Sequence, residues 1–400
     1  MKRFALISTA LPPAQSGQST VIFHLLKGFD PRNYCLITQK NLHQYIIKPK
    51  CSARLPANYH FLGPDHQVTK ILVEIAVKFR CKKILKQILE IRIRQIKKVL
   101  RKEHCDAVIA CTSDLFDPPA AFFVSRDLGI PFIFYAFDYY SNNCTDELVH
   151  SFCAEYEPDL VRGAAQVIVP NECLRDEYQK QFGVTPTVIY NPFDLDEYEK
   201  NVQASCKKKI VTPHEKTIVY TGAVYEANYE AFRNLITAIQ SPELPALVVH
   251  LYTPQSERRL LENGITGPVV IRHDAQPIHA IPAIQQNADI LFLPLSIKSP
   301  FSRSMIRTAA PGKTGEYLAS KRPILVHAPR DSFIAWYFRK YQCGVVVDDD
   351  DPKTLAMAII HLLEDKTLQK TITENALLRA KEDFNLQGAQ KKFRNILNLE

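Results

Sequence analysis

Two doubly wound α/β domains are what this sequence predicts, and three observations predict them. Short apolar, β-branched runs alternate with stretches of helical periodicity along nearly the whole chain. Alternation of this kind argues for parallel sheets with helices on both faces. A polar stretch, 197–216, carrying Lys207, Lys208 and Lys209, interrupts the series, which then restarts. The chain has 400 residues, 46% apolar and 23% charged, enough to build two substantial cores.

Taken in order, strands are expected at 4–7, 34–38, 107–110, 132–135, 166–169 and 187–190, with helical patterns at 20–28, 116–128 and 171–182 between them. After the break, strands are expected at 218–220, 247–252, 269–272, 290–293, 324–326 and 344–347. The first domain then spans 1–195, a linker 196–216, and the second domain 217–383. In open parallel sheets ligands bind outside the carboxyl ends of the strands, so a cleft between two such domains is the expected site.

Composition removes several classes. Mixed charge and an ordinary apolar fraction exclude a disordered chain, and 13 glycines with 26 prolines show no collagen-like period. No run approaches the roughly 18 apolar residues of a membrane-spanning helix. Ten cysteines form no C-x-x-C pair, and no Cys/His group has zinc-finger spacing, which suits a reducing, cytoplasmic compartment. The opening Lys2-Arg3-Phe4-Ala5-Leu6-Ile7-Ser8-Thr9 has the outline of a signal peptide, but its apolar patch is short and is read here as a first core strand. The twelve histidines make no helical ligand pair; His273-Asp274, after a strand, reads as a loop pair near the expected cleft.

The formal charge of +8 is unevenly spread. Between Thr69 and His104 stand twelve basic residues against three acidic ones, with apolar residues recurring at helical spacing from Leu72 to Leu100. The segment 70–104 is read as one or two amphipathic helices whose basic face either is merely solvated or docks on an anionic membrane, the second being preferred. It lacks interleaved aromatics and any standard recognition motif, which argues against nucleic acid.

Two loops carry the chemistry. Pro12 to Thr20, after the first strand, holds Ser16 and Gly17 at a helix start, where backbone N–H groups can meet an anion; it is neither a dinucleotide fingerprint nor a P-loop. Ser302 to Leu325 is denser. Arg303, Arg307, Gly312 and Lys313 surround a helix start marked by Pro311, a cationic pocket suited to a diphosphate. Glu316, one turn further, can accept hydrogen bonds from vicinal ribose hydroxyls. Solvated surface charge is the alternative for this whole group. Two D-x-D patterns, Asp194-Leu195-Asp196 and Asp348 to Asp351, read as turn and helix-start aspartates rather than metal ligands.

At these residues the sequence resembles a family: the nucleotide-sugar glycosyltransferases of the B type, family 4-like (group 1) branch. The resemblance spans nearly the whole chain. It rests on Leu11-Pro12-Pro13 to Gly17, Gly129-Ile130-Pro131-Phe132 leading to Asp138, and Val167-Ile168-Val169-Pro170-Asn171-Glu172. It continues through Val188-Ile189-Tyr190-Asn191-Pro192-Phe193-Asp194, Ile218-Val219-Tyr220-Thr221-Gly222, and Lys313-x-x-Glu316-Tyr317-Leu318-Ala319 with Pro323-Ile324-Leu325. It implies two facing Rossmann-like domains, acceptor-side first and donor-side second, with a final segment, 384–400, returning to the first domain. It also implies transfer of a hexose-type sugar from a UDP- or GDP-linked donor to a glycan or lipid-linked acceptor, with retention and no essential metal or other cofactor. Polysaccharide or glycolipid assembly is the usual context of such relatives, and the basic segment 70–104 places the expected cytoplasmic protein at the inner face of a membrane.

Residue by residue, Glu316 matches the second glutamate of the family's Glu-x7-Glu motif, while the first falls on Thr308. The family's Arg and Lys beyond the Gly-rich strand end are missing here, where Ala223 follows Gly222, and Lys313 with Arg303 or Arg307 is expected to take over the diphosphate. Asp138 is the acceptor-side candidate, with a turn-capping aspartate as its alternative. Two other readings stay open: a nucleotide-sugar epimerase on the same architecture, and a degenerate, non-catalytic transferase acting as a scaffold.

Overall fold

The computed structural model describes residues 3–14, 16–40, 54–112, 114–143, 146–205 and 216–398. The chain divides into two units, Met1–Tyr190 with Ala389–Glu400, and Asn191–Gly388.

The first unit is built on seven parallel strands: β1 Phe4–Ile7, β2 Tyr34–Gln39, β3 Asn58–Leu62, β4 Ala107–Cys111, β5 Phe132–Tyr135, β6 Gln166–Val169 and β7 Thr187–Val188, in the order β3-β2-β1-β4-β5-β6-β7. The opening apolar patch is the central strand, every residue of it buried, with Phe4 opposite Tyr34 on one side and Ala107 on the other. Strands covered on both faces read as continuous apolar runs, and these do. β3 was not expected. It is the edge strand, with exposed and half-buried Asn58, Tyr59, His60 and Phe61 in place of an apolar run.

Helices α1 Gly17–Leu26, α2 His66–Lys78, α3 Lys82–Lys102, α4 Asp117–Leu128, α5 Glu147–Gly163 and α6 Glu172–Phe182 flank this sheet. Alternate strand residues serve two cores. Ala5, Ile7, Val108 and Phe134 meet Leu85, Ile88, Ile96, Val124 and Phe152, while Phe4, Leu6, Ile109 and Tyr135 meet Val21, Ile22 and Leu25. The basic segment forms two helices because the chain breaks at Phe79–Cys81, where Arg80 takes a positive φ of 48°. Residues 389–400 belong to this unit: Phe393 and Leu397 join the second core, and Gln390 Nε2 donates to the His24 and Lys27 carbonyls at 2.7 and 2.8 Å.

The second unit opens with α7 Leu195–Ser205, so the polar stretch read as a linker begins as a helix, with Tyr198 buried and Asp194 accepting from the Glu197 N–H. Lys207, Lys208 and Lys209 lie outside the described residues. Six parallel strands follow: β8 Lys216–Thr221, β9 Leu247–Tyr252, β10 Val270–His273, β11 Ile290–Pro294, β12 Ile324–His327 and β13 Val345–Val347, in the order β10-β9-β8-β11-β12-β13. Their helices are α8 Tyr229–Ala238, α9 Glu257–Glu262, α10 Ile281–Gln286, α11 Arg303–Thr308, α12 Thr314–Ala319, α13 Phe333–Tyr341, α14 Pro352–Glu364 and α15 Lys366–Asp383; α16 Leu386–Ile396 ends the chain. Among the described residues no helix is long and apolar enough to cross a membrane.

Both sheets reverse their strand order at one place, between β1 and β4 and between β8 and β11. Helices leave the two sides of such a switch point in opposite directions and open a crevice at the carboxyl ends of the strands. The residues discussed next lie at those ends.

Candidate active site

In the second unit the site is assembled where α12 meets the end of β8. Buried Tyr317 reaches back from α12 so that its hydroxyl accepts the Thr221 N–H at 3.0 Å, fixing the first turn of α12 against the strand end. One turn earlier Lys313 Nζ donates to the Tyr220 hydroxyl at 2.9 Å and stands 4.2 Å from the centre of the Tyr220 ring. Gly222 makes room for it. Its φ of +133° disfavours other residues, and a Cβ there would come within 3.0 Å of Lys313 Cε and 3.1 Å of Nζ. Among the described residues Lys313 has no carboxylate in ion-pair contact, only the neutral tyrosine. Burial pushes its ammonium below the usual lysine range, against the opposing pull of Tyr317 and Glu316.

Glu316 is held from the other side. Gln285 on α10 donates from Nε2 to Glu316 Oε2 at 3.1 Å and to Thr221 Oγ1 at 3.2 Å, while its Oε1 accepts from the Tyr198 hydroxyl at 2.9 Å. Gln285 is fully buried, so this bridge fixes the carboxylate plane. Glu316 Oε1 has no hydrogen-bond partner among the described residues. Burial raises the Glu316 carboxyl above the ordinary range, and the Gln285 bond and the Lys313 charge offset only part of the rise.

The remaining sequence candidates divide. Thr308 is buried, with its hydroxyl donating to the Ser304 carbonyl of its own helix at 2.9 Å. Arg303 is exposed and paired with Asp331 at 2.9 Å, and Arg307 is half-buried on the last turn of α11. Gly312 is exposed beside Lys313. The loop between α11 and α12 is braced by Asn191, which donates to the Ala310 carbonyl at 3.0 Å, and by Phe193, whose ring fills the space that a Cβ at Gly315 would need.

In the first unit Asp138 follows β5. Thr112 Oγ1, at the end of β4, accepts the N–H groups of Phe137 and Asp138 at 3.0 and 3.2 Å, and the Tyr135 and Phe137 rings stack at 4.1 Å. Burial alone raises the Asp138 carboxyl, which has no partner among the described residues. Ser16 caps α1, accepting from the Ser19 N–H at 3.1 Å. Gly17 is exposed, and a Cβ there would meet nothing within 4 Å, so packing inside this unit does not require glycine.

The D-x-D aspartates are engaged locally. Asp194 caps α7 and Asp351 caps α14, while Asp348 pairs with Arg339 at 2.7 Å and Asp350 with Lys298. His273 stacks on Tyr252 and shares a 2.8 Å hydrogen bond with His250, and Asp274 pairs with Arg272. Sequence reasoning missed Tyr220, Gln285 and Thr112, whose roles arise only from tertiary contact.

Comparison with known proteins now adds the family. Residues 45–197 match the profile for glycosyltransferase family 4, and residues 215–365 the profile for glycosyl transferases group 1. The chain belongs to these B-type glycosyltransferases. Solved structures share the transferase's fold end to end. Sucrose-phosphate synthase from Thermosynechococcus elongatus superposes with a TM-score of 0.70 at 16% identity, covering 100% of this chain and 98% of its own. The Anabaena protein HepE in complex with UDP gives 0.70 at 14%, covering 100% of both chains. The UDP-forming trehalose-phosphate synthase from Burkholderia xenovorans gives 0.70 at 12%, covering 99% of this chain and 100% of its own. At such identities the likeness speaks to the fold alone. A search of curated proteins by sequence finds no match.

Proposed function

We propose that the transferase takes a hexose-type sugar from a UDP- or GDP-linked donor and passes it, with retention, to a glycan or lipid-linked acceptor in polysaccharide or glycolipid assembly. One observation carries this reading: a desolvated lysine without a carboxylate partner and a glutamate with an open oxygen share the first turn of α12, against Gly222 at the switch point. A desolvated cation with no carboxylate in direct contact favours an anionic ligand, and a diphosphate offsets the penalty that burial places on the charge. The open Glu316 oxygen suits the ribose hydroxyls. HepE, whose fold this chain shares, is solved with UDP and with UDP-glucose. The family's missing cations beyond the Gly-rich strand end are replaced in space by Lys313, which packs on that very glycine. Asp138, half-buried and with its carboxyl unpartnered among the described residues, is the acceptor-side acid or base.

Calorimetry with UDP, GDP, ADP and dTDP tests the donor site. One nucleotide is expected to bind, and Glu316→Ala to weaken it by about 1.5–3 kcal/mol, the loss of charge-assisted hydrogen bonds. The site needs the ionised carboxylate, and its pKa is raised, so affinity should fall with decreasing pH already above the ordinary 4.5. No binding at millimolar nucleotide, or equal binding by the variant, rejects the assignment.

The basic helices supply a membrane-facing surface in the same proposal. Val68, Ile71 and Ile75 on α2 and Phe79 at its C-cap form one stripe and are 46, 54, 38 and 68% exposed, with Lys70, Lys78 and Arg80 beside them. An exposed apolar stripe beside basic residues favours docking over a merely solvated face. Apolar insertion plus attraction of about 1 kcal/mol per basic residue would hold it on anionic lipid. Flotation with phosphatidylglycerol vesicles should recover the protein, neutral vesicles should not, and Phe79→Ser should weaken binding about tenfold or more. Equal recovery with both lipids removes the electrostatic half of the proposal.

A further inference from the structure

Far along the strands from Asp138, near the amino ends of β2 and β3, three metal-ligating side chains converge and a fourth lies against one of them. Cys35 Sγ on β2, His60 Nε2 on β3 and Glu103 Oε1 at the end of α3 all lie within 4.8 Å of one another. Cys105, two residues beyond Glu103, brings its sulfur to 3.7 Å from that of Cys35. We propose that these residues bind one divalent cation of the zinc class, as a structural centre with Cys35, His60 and Glu103 as ligands and Cys105 completing the set.

Four features of the cluster suit such an ion. Two thiolates on a tetrahedral zinc, at Zn–S distances of about 2.3 Å, stand about 3.8 Å apart, the spacing seen here. The donors are sequestered, with Cys35 at 0% and Cys105 at 8% exposure and the side chains of His60 and Glu103 at 17% and 9%. Mixed sulfur, imidazole and carboxylate donors favour zinc over magnesium or calcium. The charge balances: two thiolates and a carboxylate are cancelled by a divalent cation and Arg3, whose guanidinium holds the other Glu103 oxygen. An outer-shell partner of that kind orients a ligating carboxylate.

Glu103 also sits at a helix carboxyl end, where the macrodipole opposes a negative charge. A cation there would join β2, β3 and the end of α3, which are distant in sequence.

The test uses the full-length protein, purified under reducing conditions, with zinc and cobalt as probes. One equivalent of cobalt should bind with thiolate charge-transfer absorption. Zinc should displace it, raise the thermal midpoint reversibly towards EDTA, and protect Cys35 and Cys105 from alkylation as read by peptide mass spectrometry. Cys35→Ala and His60→Gln should each weaken binding about tenfold or more, whereas Cys81→Ser, outside the cluster, should not. Absence of the charge-transfer band, or affinity unchanged in both variants, overturns the proposal, as does a Cys35–Cys105 disulfide that forms while zinc does not bind. If the variants fail to fold, alkylation protection in the native chain decides.

Discussion

Replacing Lys313 with methionine is expected to lower turnover of the nucleotide-sugar donor by roughly 100- to 1,000-fold, the effect of removing one preorganised group that stabilises developing negative charge. The departing diphosphate gains charge as the glycosidic bond breaks, and Lys313 is the cation fixed against the strand end by Tyr220 and Gly222. Methionine keeps much of the stem's packing on the Tyr220 ring, so the fold should survive. Because burial already penalises the ammonium, its removal should leave thermal stability unchanged or raise it slightly. Lys313→Glu should go further and abolish donor binding, since it opposes the diphosphate with a like charge. Turnover within a few-fold of native, or donor binding retained by the charge reversal, would sink the role.

The second large effect concerns stability. Arg92 on α3 and Asp117 at the start of α4 are 1% and 0% exposed, and Arg92 Nε lies 3.3 Å from Asp117 Oδ1. Burial raises the Asp117 carboxyl to about 7, Asp114 adds to the rise, and Arg92 only partly reverses it. The pair's attraction is therefore largely consumed by desolvation, and it contributes little net stability while being costly to break. Asp117→Ala should destabilise the first unit by about 3–5 kcal/mol, because the guanidinium stays buried without compensation. Arg92→Leu combined with Asp117→Leu should recover most of that loss. Urea unfolding of the first unit, followed by near-ultraviolet circular dichroism, distinguishes the cases; a double variant no better than Asp117→Ala would show that shape, not charge, holds this contact.

The strands were legible because a doubly covered parallel sheet writes itself as apolar runs, and β1, β5, β6 and β9 fall at the expected positions. β3 was not, since an edge strand needs only one apolar neighbour and reads as a loop. The polar stretch after Asp194 hid α7 for a related reason: one buried side chain, Tyr198, is enough to anchor a helix whose other faces are wet. At the site, Lys313 and Glu316 were visible because both sit within one helical turn behind a proline. Tyr220 and Gln285 were not, being an ordinary strand aromatic and a lone helix amide until Lys313 and Glu316 touch them. The Cys35, His60, Glu103 and Cys105 group shows no ligand spacing at all, because a sheet register and a helix end bring it together.

The way the chain leaves the first unit at Tyr190 and re-enters it at Ala389 has a consequence for biogenesis. In topological terms the second unit is an insertion, and the layer holding Phe393 and Leu397 is synthesised only after all of that unit. The first-made domain therefore waits, with one face of its β-sheet incompletely covered, while the later-made domain is synthesised and can fold ahead of it. The usual vectorial order, amino-terminal domain finished first, is not available to the first unit until residues 389–400 are made. An interval of exposed apolar surface of this kind is where a multidomain chain is most open to aggregation.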